Sequence, residues 1–83
     1  MKIKDNLTKN SCYKTSDLAL ATTLSLSFPI KSVDKTHPRR VLFVFKRNKS
    51  LDGIIESYWC EELKVEPQRF FNQLKNIKTR IYA

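Results

Sequence analysis

The segment VLFVF, residues 41–45, constrains the fold of this chain more than any other feature. Side chains alternate across a strand, so the odd-numbered positions of this segment share one face, and all of them are apolar. That face must lie against a core. The opposite face carries Leu42 and Val44 between Arg40 and Lys46, so it is apolar in the middle with a cation at each end. We therefore predict a strand with one fully buried face.

A second strand is predicted immediately before it, at FPIKSV, residues 28–33. The connection DKTHPR, residues 34–39, is short, and Pro38 holds His37 extended. A short connection joins antiparallel neighbours, so the two strands form a β-hairpin. A two-stranded sheet is marginally stable and has exposed edges, which favours dimerisation through a strand edge or a helix face. A third short strand at residues 63–65 is an alternative that the sequence does not decide.

Three helices are expected around the hairpin. The first starts at Thr15, Ser16 and Asp17, where a hydroxyl cap and an acid suit a helix N-terminus, and ends near Leu26. The second follows Ser50 as its cap and has apolar residues at i, i+3, i+4, i+7, i+8 and i+12. These are Leu51, Ile54, Ile55, Tyr58, Trp59 and Leu63.

The third helix opens at Glu66-Pro67, since proline suits the first helical position. Its buried seam is expected at Phe70, Leu74, Ile77 and Ile81. A second stripe lies beside the seam and mixes aromatic and basic residues: Phe71, Lys75, Lys78 and Tyr82. We expect Phe71 to pack into the core.

These elements define an α+β fold in which a β-hairpin packs against three helices, in the order α-β-β-α-α. Residues 1–14 are polar and basic and show neither helical nor strand periodicity, so we predict a flexible basic tail. The remaining residues, 15–83, form one small domain, and a chain of 83 residues has room for no more.

The segments TSDLALA, PRRVLFVF, YW and FFNQLKNIKTRIYA resemble a family of small uncharacterised bacterial and phage-associated proteins. In that family a TSDLA start, a strand of the form RRxxFxF and an ending FFNxLKxxKxRIY recur. The resemblance covers residues 15–83, and the ending is its most specific part. It supports the domain boundaries and implies no activity. Ser27 stands where members of the family often have glycine between the first helix and the first strand.

Charge is the strongest indication of a partner. The net charge is +8 at pH 7, and it is unevenly distributed along the chain. Residues 31–49 carry +6, residues 50–66 carry −4 and residues 67–83 carry +4. Basic blocks of this size suit a polyanion, of which nucleic acid is the commonest. The alternative is that the basic blocks serve solubility and pair internally with the acidic block.

The sequence offers little for catalysis or for metal binding. His37 is the single histidine, and Cys60 stands beside Glu61 and Glu62, which disfavour a thiolate. Cys12, His37 and Cys60 lack metal-ligand spacing, and a chain with one glycine has no phosphate-binding loop. We expect no enzymatic activity, no metal and no cofactor.

The longest apolar stretch, LALATTLSLSF, is too short to span a bilayer and lacks a secretory cleavage site. We therefore expect no membrane association and a cytoplasmic location with reduced thiols.

Nucleic-acid grooves combine cations for phosphates with aromatics that stack on bases. Strand alternation points Arg39 and Arg40 to opposite faces, so at most one of them serves the outer face of the strand. The candidate nucleic-acid-binding residues are Lys31, Arg39, Arg40, Lys46, Arg47, Lys49, Lys75, Lys78, Arg80 and Tyr82.

The first functional hypothesis is a small non-enzymatic protein that binds the phosphate backbone of DNA or RNA with little sequence specificity. The second is a protein-interaction module, either an accessory subunit of a larger assembly or a phage-type inhibitor. Tyr58 and Trp59 on the acidic helix favour the second, because aromatic residues are enriched in interface hot spots.

Overall fold

The computed structural model describes residues 11–82. The chain forms three strands and three helices in these residues, which confirms the α+β class. In chain order they are β1 Cys12–Thr15, α1 Leu18–Ser25, β2 Ser32–Asp34, β3 Leu42–Lys46, α2 Lys49–Trp59 and α3 Pro67–Ile81. From α1 onward the order is the predicted helix, strand, strand, helix, helix.

The three strands form one antiparallel sheet in the order β1-β3-β2, with β3 in the centre. The predicted hairpin of β2 and β3 is present, with Val33 opposite Phe43. On the other side of β3, Tyr13 of β1 lies opposite Phe45. A hydrogen bond from the backbone N–H of Arg47 to the carbonyl of Ser11, 2.7 Å, continues this pairing beyond the strand.

Strand β1 corrects the predicted basic tail. Residues 12–14 belong to the sheet, while residues 1–10 lie outside the described part of the chain. The segment CYKT is too short for its alternation to stand out against the polar residues around it. Its structure comes from the open hydrogen-bonding edge of β3, which a local pattern cannot reveal.

The alternative strand at residues 63–65 is wrong, because this segment is the irregular connection between α2 and α3. Strand β2 is also shorter than predicted, beginning at Ser32 rather than Phe28. Pro29 has no N–H to donate to a ladder, so the chain before β2 does not pair as a strand. Phe28 and Ile30 nevertheless pack against the core.

The core lies on one face of the sheet. Phe43 and Phe45 on β3 are fully buried, as predicted, and they contact a cluster of helical residues. This cluster consists of Leu20, Ala21 and Leu24 of α1, Leu51 of α2 and Ile77 of α3. Each helix therefore contributes its apolar face to a single core on the same side of the sheet. Burial of a phenylalanine side chain contributes about 1.5–3 kcal/mol.

The helix starts are fixed by side-chain caps. The cap of α1 is Asp17 and not the hydroxyl residue expected there, and Asp17 accepts a hydrogen bond from the N–H of Leu20 at 3.1 Å. Helix α2 begins two residues earlier than expected, because Asn48 and not Ser50 is its cap and accepts from Leu51 N–H at 2.8 Å. Glu66 caps α3 ahead of a proline in its first turn.

Two aromatic residues of the helices are exposed, one predicted at a protein interface and the other expected in the core. Trp59 stands at the end of α2 and is 61% exposed, and Phe71 on α3 is 60% exposed. Helix α2 ends at Trp59, and the half-buried Tyr58 is the last residue of this helix that packs against the core. Phe71 lies about one-third of a turn from the seam of α3, where no other element packs over it in the described residues.

Candidate nucleic-acid interface

The face of the sheet opposite the core is open to solvent and basic. The register places Lys14 opposite Val44 and Cys12 opposite Lys46, so these residues share the outer face. Lys14 and Lys46 are exposed, and Val44 between the flanking strands is nearly buried. Lys14 was not among the candidate nucleic-acid-binding residues, because it was assigned to the predicted tail. Its alternation with Tyr13 and Thr15 in CYKT was the available signal.

Lys31 is the predicted site residue that reaches furthest across this face. Its Nζ donates a hydrogen bond to Cys12 Sγ at 3.2 Å. Because β1 and β2 flank β3 on opposite sides, the Lys31 side chain spans the width of the central strand. The pKa of Cys12 is lowered, chiefly by this hydrogen bond, and the positive charges of Lys31 and Lys14 lower it further.

The predicted cations along β3 do not form one rim. Arg39 and Arg40 precede the strand, whereas Lys46 is its last residue and Arg47 and Lys49 follow it. The six residue steps from Arg40 to Lys46 correspond to about 20 Å of extended chain. Apart from Lys31, which lies across the outer sheet face, the predicted residues therefore fall into two groups at opposite ends of the sheet, and all ten are exposed.

The first group lies where the hairpin loop meets the end of α3. Lys35 Nζ donates a hydrogen bond to the carbonyl of Arg80 at 3.3 Å, which holds the start of the loop against the last turn of the helix. Arg39 and Arg40 follow in the same loop. Asp34 shapes the entry to this loop, since its carboxylate accepts from the backbone N–H of Thr36 at 2.9 Å and from its hydroxyl at 2.7 Å. These bonds lower the pKa of Asp34.

Helix α3 brings the remaining predicted residues to this end of the molecule. Lys75, Lys78 and Tyr82 are exposed along one side of the helix, together with Phe71. Arg80 is exposed on the other flank. Lys78 and Arg80 also lie in the last turn, where cations interact favourably with the negative end of the helix dipole.

The second group surrounds the N-terminus of α2. Arg47 forms an ion pair with Asp52, with Nε to Oδ1 at 3.1 Å, and its guanidinium lies 5.9 Å from the centre of the Tyr13 ring. Arg47 is therefore partly engaged within the protein. Lys46 and Lys49 are exposed beside it, at the positive end of the dipole of α2, where cations are disfavoured.

The acidic side chains seldom neutralise these cations. Within residues 11–82, thirteen Lys and Arg stand against seven Asp and Glu, and Arg47–Asp52 is the single ion pair. Three of the acids serve the backbone instead, with Asp17 and Glu66 as helix caps and Asp34 in the loop turn. Pairing of the acidic block with the basic blocks is thus limited to Arg47–Asp52 in the described residues.

The aromatic pair predicted as a protein interface lies at the end of α2. The rings of Tyr58 and Trp59 meet edge to face, with centroids 5.1 Å apart. Tyr58 is half-buried, and burial followed by the negative charge of Asp17 raises its pKa. Trp59 projects into solvent beside Glu61 and Glu62.

A shallow cleft of about 190 Å³ separates the end of α1 from the connection between α2 and α3. Leu26, Ile54, Leu63 and Val65 line it together with Glu66 and Arg69. It contains none of the predicted site residues. No group of three His, Cys, Asp or Glu side chains within residues 11–82 has the arrangement of a metal site. None of the helices in that range is both long and apolar enough to cross a bilayer.

Comparison with known proteins identifies one relationship. A family model described as a domain of unknown function (DUF5659) matches residues 10–83. No curated protein and no solved structure matches the chain. The family match begins ahead of β1, in agreement with the inclusion of that strand in the domain.

Proposed function

The chain belongs to the DUF5659 family, and from the surface of this member we propose that it is a small, non-enzymatic nucleic-acid-binding protein of the cytoplasm. It contacts the phosphate backbone and discriminates little between sequences. The observation that carries the proposal is the excess of exposed cations that no acidic side chain pairs within residues 11–82.

The arrangement of the charges supports backbone binding rather than base reading. Exposed lysines and arginines lie on the outer sheet face, in the hairpin loop and along α3, so they cover a broad surface. Phosphate contacts of this kind supply affinity without sequence information. One flank of α3 does carry Arg, Gln and Asn side chains, at Arg69, Gln73, Asn76 and Arg80. The amide of Gln73 donates to Ser25 Oγ at 3.0 Å and accepts from Asn76 at 3.4 Å, so these two amides are engaged within the protein.

Salt dependence tests this proposal. If about five phosphates are contacted, the slope of log K against log salt is roughly −4.5 for duplex DNA and −3.5 for a single strand. Replacing Arg39 and Arg40 together with alanine should weaken binding equally for all sequences and flatten the slope by about one to two units. Binding can be followed by fluorescence anisotropy of labelled oligonucleotides of mixed sequence.

The matched control replaces Glu61 and Glu62 with glutamine. These residues lie in the acidic block, so the change removes two negative charges and should not weaken binding. Undetectable binding at low salt to both single-stranded and duplex oligonucleotides would contradict the proposal. Equal effects of the arginine pair and the glutamate pair on binding would also contradict it.

A second candidate is a protein-interaction module, such as an accessory subunit or a phage-type inhibitor. The observation that favours it is the exposed Trp59. Close to it in the chain, Glu61 has a left-handed backbone conformation with a φ of 61°. A strained backbone conformation and an exposed indole at one helix end are more typical of a surface that contacts a partner than of one that only faces solvent. Dimerisation through an outer edge of β1 or β2 belongs to the same class.

This candidate predicts a different dependence on residues. A protein partner that stays bound at high salt should be lost with Trp59→Ala and retained with Trp59→Phe, since the aromatic face is kept. Binding of this partner should also be unchanged by Lys75→Gln and Lys78→Gln. Sedimentation of the purified chain shows whether the partner is a second copy, in which case the chain is a dimer, or another protein, in which case it is a monomer. A partner lost with the lysine changes but kept with Trp59→Ala would contradict this candidate.

A further inference from the structure

The exposed stripe on α3 is unusual because two large aromatic residues flank two lysines on the solvent side of the helix. Phe71 is 60% exposed and Tyr82 is 83% exposed, and Lys75 and Lys78 between them are also exposed. At 100° per residue the four positions fall within about 60° of arc, so they form one narrow line. We call this line the α3 stripe. Because this helix already has a buried seam, folding does not need these large aromatic side chains, and their exposure to solvent requires another explanation.

The stripe is separate from the part of α3 that holds the fold together. Ile77 is fully buried and Ile81 packs against the core, whereas the stripe lies beside this seam and none of its residues belongs to the core cluster. The ring of Phe71 is supported by Phe70, whose ring it meets edge to face with centroids 6.1 Å apart. Phe71 therefore presents a supported ring to solvent.

The stripe has an aromatic ring at each end and two cations between them, and these are the two kinds of group that bind the bases and phosphates of an unpaired strand. With a rise of 1.5 Å per residue, Tyr82 lies about 16 Å along the helix from Phe71, and the lysines lie about 6 Å and 10 Å along the same line. Aromatic faces can stack on bases at both ends while the two ammonium groups neutralise the phosphates between them. In a duplex the bases are stacked on each other and cannot reach these rings, so the aromatics favour a single strand.

The outer sheet face does not offer the same combination. Its described side chains include Lys14, Lys46, Leu42 and Val44 and no aromatic residue, because Tyr13, Phe43 and Phe45 all point into the core side. That face can hold phosphates but has no ring on which a base could stack. Among the described surfaces, the α3 stripe therefore carries the chemistry for unpaired bases.

We propose that the α3 stripe is a binding site for single-stranded nucleic acid, with Phe71 and Tyr82 stacking on bases and Lys75 and Lys78 contacting the intervening phosphates. The inference rests on the proposed nucleic-acid function and adds the form of the ligand and the place where it binds. The hairpin loop with Arg39 and Arg40, held near the end of α3 by the bond from Lys35 to Arg80, extends the basic path beyond Tyr82. Stacking and phosphate contacts do not read the sugar, so unpaired DNA and RNA should bind similarly.

The test compares a labelled oligo(dT), an oligo(rU) and a duplex of equal length, measured by anisotropy at the same low salt. The unmodified protein should bind both single strands more tightly than the duplex. The double change Phe71→Leu and Tyr82→Leu keeps apolar side chains but removes the rings. It should weaken binding to oligo(dT) and oligo(rU) by about tenfold for each ring lost and leave duplex binding unchanged. Both residues are exposed, so the thermal midpoint of the variant should match that of the wild type.

Two further variants make the assignment specific. Trp59→Leu removes an exposed ring that lies outside the stripe and should leave binding unchanged. Lys75→Gln with Lys78→Gln should flatten the salt slope for single strands by about one to two units, whereas Lys64→Gln should leave it unchanged.

Each outcome distinguishes this inference from the proposed function. Salt-sensitive binding that prefers the duplex, or that ignores the leucine pair, overturns the single-strand site and leaves the nucleic-acid function standing. Absence of binding to all three oligonucleotides at low salt overturns both. Equal losses with Trp59→Leu and with the leucine pair also overturn the site, because the effect would not depend on the stripe.

Discussion

Gly53 occupies the interior of α2 without any requirement for glycine. A Cβ built there would meet no atom within 4 Å, and no glycine of the described chain has a positive φ. Glycine in a helix interior costs about 1 kcal/mol relative to alanine, partly through the greater freedom of the unfolded chain. The sequence reveals this residue as a weak point in the helix, and the structure shows that nothing compensates for it.

Gly53→Ala should therefore raise the free energy of unfolding by about 1 kcal/mol. For a domain of this size the thermal midpoint should rise by about 4–8 °C, which calorimetry can measure. A midpoint that stays the same or falls would mean that the position needs its glycine after all, for example for contact with a partner chain.

Glu61 ends α2 in a conformation that normally belongs to glycine. Its φ is 61°, its N–H bonds to the carbonyl of Tyr58 at 3.1 Å, and the N–H of Glu62 bonds to the carbonyl of Ser57 at 3.0 Å. This pair of bonds is the Schellman motif, in which the left-handed position is usually glycine. The carboxylate also stands at the negative end of the helix dipole, which disfavours it.

Glu61→Gly should stabilise the fold by about 1 kcal/mol, since it removes the left-handed penalty and the unfavourable charge. Glu61→Ala is the control, because it removes the charge and keeps the penalty, so its gain should be only a few tenths of a kcal/mol. Denaturant unfolding of the two variants separates these effects. Equal stabilities for both would show that the backbone penalty is absent.

Cys12 is the residue whose titration the sheet controls. Its pKa is lowered first by the hydrogen bond from Lys31 and then by the nearby lysine charges. Lys31→Met removes the donor and its charge and should move the pKa of Cys12 upward. Thiolate absorbance against pH, in a Cys60→Ser background, measures the change. An unaltered titration curve would show that Lys31 does not hold the thiol in solution.

At the scale of elements, the sheet depends on a strand at its very beginning. The central strand β3 has partners on both sides, and β1 supplies the longer of the two pairings, from Cys12 to Thr15. Its inner residues Tyr13 and Thr15 also cover the core, and Thr15 Oγ1 accepts a hydrogen bond from the backbone N–H of Asp17 at the start of α1, 3.0 Å. Without β1, one edge of β3 and part of the core would face water.

Removal of residues 1–14 should therefore abolish cooperative unfolding or lower the thermal midpoint by more than about 8 °C, which exceeds 1 kcal/mol in a domain of this size. This result reverses the expectation drawn from the sequence. A chain that starts at Ser11 keeps all of β1 and is the matched control. If the two truncations unfold alike, β1 does not contribute to the stability of the sheet.

At the scale of the whole molecule, one core joins the sheet to all three helices. Phe43 is 1% exposed and belongs to the cluster that includes residues of α1, α2 and α3. A domain of this size has about 5–10 kcal/mol of net stability. A single truncation at this point therefore threatens every element at once.

Phe43→Ala should lower the free energy of unfolding by about 3–5 kcal/mol, through lost burial and the cavity left behind. Leu42→Ala, on the outer face of the same strand, should cost less, because its side chain is only half-buried. Urea unfolding monitored by circular dichroism compares the two. Equal costs would show that the faces of β3 are not distinguished by burial.

The sequence by itself predicted those features that depend on neighbours along the chain. Alternation in VLFVF fixed the inner face of β3, and the spacing of Phe70, Leu74, Ile77 and Ile81 fixed the seam of α3, although only Ile77 is fully buried. The starts of α1 near Asp17 and of α3 at Glu66-Pro67 were also visible locally. The cations of the candidate site were named correctly as exposed residues, since charged side chains seldom find partners inside a small core.

Tertiary structure decided what depends on distant neighbours. It made β1 a strand by offering the edge of β3, and it divided the predicted cations between two ends of the sheet. It also left Phe71 and Trp59 in water, because a helix stripe is buried only where another element packs over it. Periodicity shows which side chains share a face, whereas the packing of remote segments determines which of those faces is covered.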